Sequence, residues 1–180
     1  MSTKPVSFRR AVLHAAVLLI FAGCSPKFDW REVQGAGAPY AILLPAKPSS
    51  LSRQINIDGT EVTMTMTAAE TGDVTFAAGT AELPDAVKAQ QALGAMKTAL
   101  IKNISGTLKQ EKITGPAAAP TEIEIEATGA PGAHTGGQPR VMFARFIARA
   151  KRVYQLVVVG TEKTVTRELV DTFFTSFRIT

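Results

Sequence analysis

Cysteine is nearly absent from this chain: Cys24 stands alone among 180 residues. One thiol excludes an intramolecular disulfide and every metal site built from several cysteines. Histidine is almost as scarce, with His14 near the N-terminus and His134 far downstream. No serine sits in a G-x-S-x-G elbow, no glycine-rich stretch runs into Lys-Ser or Lys-Thr, and no EF-hand loop occurs. The commonest hydrolase nucleophile, the phosphate-cradling loop and the helix–loop–helix calcium site are therefore missing. Long apolar runs are missing too. Ala11 to Gly23 would rise only about 20 Å as a helix, short of the roughly 30 Å of a bilayer's hydrocarbon.

What is present suits one globular domain with accessory segments. Apolar residues make up 46% and charged residues 19%, enough to build a core without disulfides. The formal charge of +5 overstates how basic the folded part is. Taking Lys4, Arg9 and Arg10 from the 20 basic residues leaves 17 against 15 acidic ones, a net +2. That balance gives no argument for nucleic acid as a partner.

Residues 1–23 have the layout of an export signal: Lys4, Arg9 and Arg10, then the apolar AVLHAAVLLIF, then Ala22-Gly23. Phe21-Ala22-Gly23-Cys24 resembles the lipobox of bacterial lipoproteins, with Phe21 in place of the usual leucine. The resemblance implies cleavage before Cys24, a diacylglyceryl thioether on its sulfur and a fatty acid such as palmitate on its amino group. Two or more acyl chains, at about 0.8 kcal/mol per buried methylene, anchor a protein stably. Ser25 in the next position implies sorting to the outer membrane, on its periplasmic face. The alternative is a soluble exported protein with a spare thiol.

Residues 24–38 read as a lipidated tether and 39–180 as a single domain. Phe28 and Trp30 are apolar for a spacer, which leaves two readings: docking on the domain as an edge segment, or seating at the lipid headgroups. From Tyr40 the pattern is β. Tyr40–Leu44 is a short apolar run, Arg53–Ile57 alternates, and Asp58-Gly59 supplies a tight turn. Val62-Thr63-Met64-Thr65-Met66-Thr67 puts its apolar residues on one face and three threonines on the other. With Asp73–Glu82 these predict an antiparallel meander with one buried face. Pro84-Asp85 opens a helix to about Ile104 with Leu93, Met96, Leu100, Ile101 and Ile104 on its apolar stripe. Strands follow at Thr107–Ile113, Thr121–Ala127, Arg140–Ala150 and Val153–Gly160, then a helix from about Thr166 to Ser176 with Leu169, Val170, Phe173 and Phe177 aimed at the core. Arg140–Ala150 has apolar residues in both alternating sets, so its buried face stays open. The order of elements indicates α+β.

Two stretches sharpen that class. "YAILLPAKPSSLSRQINIDGTEVTMTM" is similar to the opening Phe-x-Val-x-x-Pro-x-Lys-Pro hairpin of bacterial PsbP-like proteins, and "VDTFFTSFRI" resembles their closing helix with its Phe-x-x-Ser-Phe-Arg ending. The resemblance implies a central, mainly antiparallel sheet packed by helices on both sides, an α/β/α sandwich. The chain also resembles small uncharacterised lipoproteins of Gram-negative bacteria. The family includes a photosystem II extrinsic subunit and a nuclear-transport factor, and it implies no shared catalytic residues and no cofactor.

Three places carry possible chemistry. Glu122, Glu124 and Glu126 at period two point the same way from a strand. They read first as a solvated face opposite Ile123 and Ile125, and second as a cation site. Arg140, Arg145, Arg149, Lys151 and Arg152 form a basic run with no acid between them. Arg145 and Arg149 share a strand face, suited to anionic lipid or a polyanionic envelope polymer, or to neutralising the glutamates across a hairpin. His134 lies in the loop GAPGAHTGGQP, with no partner visible. The expected function is non-enzymatic: a membrane-anchored, periplasm-facing lipoprotein binding an envelope protein or polymer. The alternative is an exported binder of a small ligand or cation, using Glu122, Glu124, Glu126, Arg145 and Arg149.

Overall fold

The computed structural model describes residues 28–131 and 137–180. In chain order the strands are β1 (Arg31–Gln34), β2 (Tyr40–Leu44), β3 (Ser49–Ile57), β4 (Thr60–Thr71) and β5 (Val74–Glu82). Helix α1 (Ala86–Asn103) comes next, then β6 (Thr107–Thr114), β7 (Glu122–Gly129), β8 (Arg140–Arg149) and β9 (Arg152–Thr161). Helix α2 (Arg167–Ser176) and β10 (Arg178–Ile179) close the fold. A seven-stranded sheet, ordered β3-β4-β5-β9-β8-β7-β6, is antiparallel throughout. A second sheet of three strands, β1-β2-β10, carries the two ends of the domain. Among the described residues no helix is long and apolar enough to cross a membrane.

Local chemistry accounts for the boundaries. The Asp58-Gly59 turn has both residues at positive φ, 49° and 80°, as a two-residue hairpin turn requires. Asp85 caps α1 by accepting from the Lys88 backbone N at 2.8 Å. The helix ends where Ser105 turns to φ 48° and the Gly106 N donates back to Ile101 O at 2.9 Å. Thr166 caps α2 on the Leu169 N.

The edge strands β3 and β6 of the large sheet are largely exposed, while its central strands are covered on both faces. Helix α1 covers one, over a core that includes Met64, Leu93, Met96, Ile125, Met142, Phe146 and Val157. Helix α2 and β2 cover the other, over Tyr40, Ile42, Phe76, Phe143, Leu156, Val158 and Phe173. The single buried face expected of the meander holds for the β3–β4 arm, where Val62 and Met64 are buried and Thr63 is exposed. It is corrected for the end of β4 and for β5, which are covered on both sides. Thr67, read as outward-facing, is 1% exposed and bonds Ser50 Oγ at 2.9 Å. Strand β2 leaves the meander for the small sheet. The open question at β8 resolves the same way: Met142, Ala144 and Phe146 face α1, and Val141 and Phe143 face α2. A strand covered from both sides has no polar face to betray its phase.

The closing motif works as a clamp. Ser176 Oγ accepts from the Leu43 N at 3.0 Å, Phe177 packs on Tyr40 and Tyr154 at 5.7 and 5.3 Å, and Arg178 pairs with Glu32. At the other end, Phe28 and Trp30 stack on each other and meet Phe76 edge-on. The span read as a tether, residues 24–38, is folded in part: β1 pairs with β2, and Phe28 and Trp30 dock on the second core.

Candidate functional site

The three glutamates come together on β7. Ile123, Ile125 and Ala127 point into the α1-side core, so Glu122, Glu124 and Glu126 emerge half-buried on the opposite face. Antiparallel register sets Arg145 of β8 directly beside Glu124. Arg145 Nε and Nη2 donate to Glu124 Oε2 at 3.0 and 2.8 Å, and Nε lies 3.4 Å from Glu122 Oε1. Helix α2 completes the arrangement. Arg145 Nη1 donates to Phe174 O at 3.4 Å, and its guanidinium sits 4.8 Å from the Phe174 ring. Arg167, in the first turn of α2, pairs with Glu126 and lies 4.5 Å over Phe143.

Chemically this is a self-satisfied network. Three carboxylates meet two guanidiniums, and each arginine also stacks on an aromatic ring. The glutamates are neither the fully solvated face nor an open carboxylate cluster. Among the described residues, no group of three or more His, Cys, Asp or Glu is placed to hold a metal ion. Arg167, Phe143 and Phe174 belong to this site but carried no signal of it, because the packing of α2 over β7–β8 joins residues far apart in sequence.

Arg149 is not part of it. It shares the β8 face with Arg145 but stands four residues on, about 13 Å along a strand, at the exposed hairpin end with Lys151. Arg152 there pairs with Glu82, and Arg140 lies at the opposite end of β8. The basic run is therefore dispersed into three separate places. Cys24 and His134 lie outside the described residues.

The Arg149 end adjoins a buried tyrosine pair. Tyr40 and Tyr154, 1% and 2% exposed, meet edge-to-face at 6.0 Å. Burial pushes the pKa of Tyr40 above the usual 10.0. Burial also raises that of Tyr154, against the opposing pull of Arg152 and Arg149. Because the folded state resists ionising them, their contribution to stability is complete below about pH 10 and is lost as pH rises through the raised values. The melting temperature should hold to about pH 9 and then fall, and the fall should be shallower in the Tyr40→Phe/Tyr154→Phe double variant. An equal alkaline slope in both proteins would refute the assignment.

The domain superposes on solved structures. Cyanobacterial PsbP (CyanoP) from Synechocystis superposes with a TM-score of 0.58 at 12% identity, covering 88% of this chain and 96% of that one. The fold is PsbP-like. The Ran-binding protein Mog1p of Saccharomyces cerevisiae also superposes on this PsbP-like domain, with a TM-score of 0.50 at 11% identity over 84% of this chain and 96% of its own. No protein-family model matches the chain, and no curated protein matches it either. At such identities the PsbP-like likeness speaks for the fold alone.

Proposed function

We propose that this chain is a lipid-anchored module of the bacterial cell envelope, held on the periplasmic face of the outer membrane, which binds an envelope protein or polymer without catalysing a reaction. The observation that carries the reading is Phe21-Ala22-Gly23-Cys24, closing a leader with a basic end and an apolar run. Two further features support it. The charged side chains that could have done acid–base work on β7 and β8 are committed to one another. The PsbP-like scaffold also serves Mog1p, a Ran-binding protein, so binding is a use to which this architecture is put.

The decisive measurement is the mass of the mature N-terminus from native membranes. The expected peptide begins at Cys24 and carries diacylglyceryl and N-acyl groups, and a Cys24→Ala variant moves out of the membrane fraction. An unmodified thiol at Cys24 in the wild-type protein would overturn the anchoring. Variants retained through an uncleaved leader are recognised by the same mass.

A further inference from the structure

Gln155 interrupts the apolar α1-side surface of the large sheet. Its neighbours on that face of β9, Val153 and Val157, are buried in the core. Its half-buried amide makes no hydrogen bond with any other described residue and is open to solvent. Across the ladder it faces Gly79 of β5. A Cβ at Gly79 would run into the Met66 sulfur and crowd that of Met64, so glycine lets two methionine side chains lie down beside Gln155.

Above this spot the layers do not close. Strand β4 pairs with β5 only from Thr65 to Thr71, so Thr60–Met64 pairs with β3 alone and the β3–β4 arm overhangs toward α1. Between arm and helix lies a cavity of about 200 Å³. Ile55, Ile57, Met64, Met96 and Leu100 wall it, and Gln155 supplies an amide within it.

We propose that this cavity binds a small neutral molecule with an apolar, ring-sized body and a carboxamide-like edge. Size sets the body. An apolar cavity of roughly 150 Å³ holds benzene, so this one accommodates a ring with a few polar atoms attached. The thioether of Met64 lets the wall adapt to such a ring. The amide sets the edge: Gln155 offers both a donor and an acceptor, and a ligand with the complementary pair satisfies both where an apolar one leaves them unmet. Two other amides line the cavity: Asn103 is exposed at the last residue of α1, and Asn56, near the arm's turn, is already used. Asn56 donates to Glu61 at 2.7 Å and accepts from the Gly59 N at 2.9 Å. Charge decides against anions, because Asp58 is the one ionisable side chain lining the cavity and it is a carboxylate.

The proposal is independent of the anchoring, and benzamide, benzoate and benzylamine titrated into the full-length protein test it. The readouts are the Met64 methyl and Gln155 side-chain amide NMR signals. Benzamide should shift both saturably at millimolar concentration. Gln155→Leu should weaken it about fivefold to tenfold. Ala99→Leu, a substitution at an exposed α1 position on the cavity mouth, should abolish binding while leaving the melting temperature in place. If Gln155→Leu fails to fold, Ala99→Leu carries the test alone. No saturable shift, unchanged affinity in the folded variants, or tighter binding of benzoate or benzylamine would each overturn it.

Discussion

Phe76→Ala should cost about 3–5 kcal/mol of folding free energy. Phe76 is 0% exposed on β5, a central strand of the large sheet, so neither solvent nor a mobile loop can fill the space it leaves. Its ring sits among three aromatic partners: Trp30 at 5.5 Å, Phe28 at 6.5 Å and Phe173 at 5.4 Å. Removing it takes away the transfer term, opens a cavity and strips those rings of their edge-to-face contacts. Urea denaturation should show a lower midpoint with an unchanged slope. Limited trypsin digestion should cleave sooner at Arg31, because the dock for Phe28 and Trp30 has gone. A loss below about 1 kcal/mol would mean that the second core repacks around the gap and that the N-terminal segment is held elsewhere.

Arg145→Ala is the second large effect, and it asks what the glutamate face is for. The substitution leaves Glu122 and Glu124 side by side without their cation and uncovers the Phe174 ring. The side chains are 24%, 33% and 34% exposed for Arg145, Glu122 and Glu124, so solvent screens much of the loss. About 1–2 kcal/mol is expected, between an exposed pair and a buried one. A cycle of Arg145→Ala, Glu124→Ala and the double variant isolates the coupling, and Arg145→Met separates lost charge from lost packing. Should Arg145→Ala leave stability untouched yet abolish association with an envelope polymer, the guanidinium would be a recognition group and the network reading would fail.

Local chemistry was legible in the letters, and layers were not. The perfect alternation of β7 placed Glu122, Glu124 and Glu126 on one face because a half-buried strand leaves no other solution. Asp85 and Ser105-Gly106 bounded α1 for reasons internal to a helix's own unsatisfied groups. Burial on two sides erased the same signal in β8 and β9, whose apolar runs carry no period. The small sheet was invisible, since β1, β2 and β10 meet only because both ends of the domain arrive at one edge. Gln155 carried no signal as one amide inside the apolar strand "VYQLVVVG". What it faces depends on Gly79 and the overhang of the β3–β4 arm, and no local pattern encodes those.

The docking of Phe28 fixes how far such a domain can roam. A free tether through residue 38 would allow an excursion of about 45–50 Å, enough to sample much of a periplasmic gap. With Phe28 seated against Phe76, only the four peptide steps from Cys24 remain, at most about 14 Å. Under the lipidation of Cys24 proposed above, a domain moored that closely would diffuse with its leaflet and meet partners in two dimensions rather than three. Its clientele would then be drawn from molecules embedded in, or lying flat upon, the same membrane.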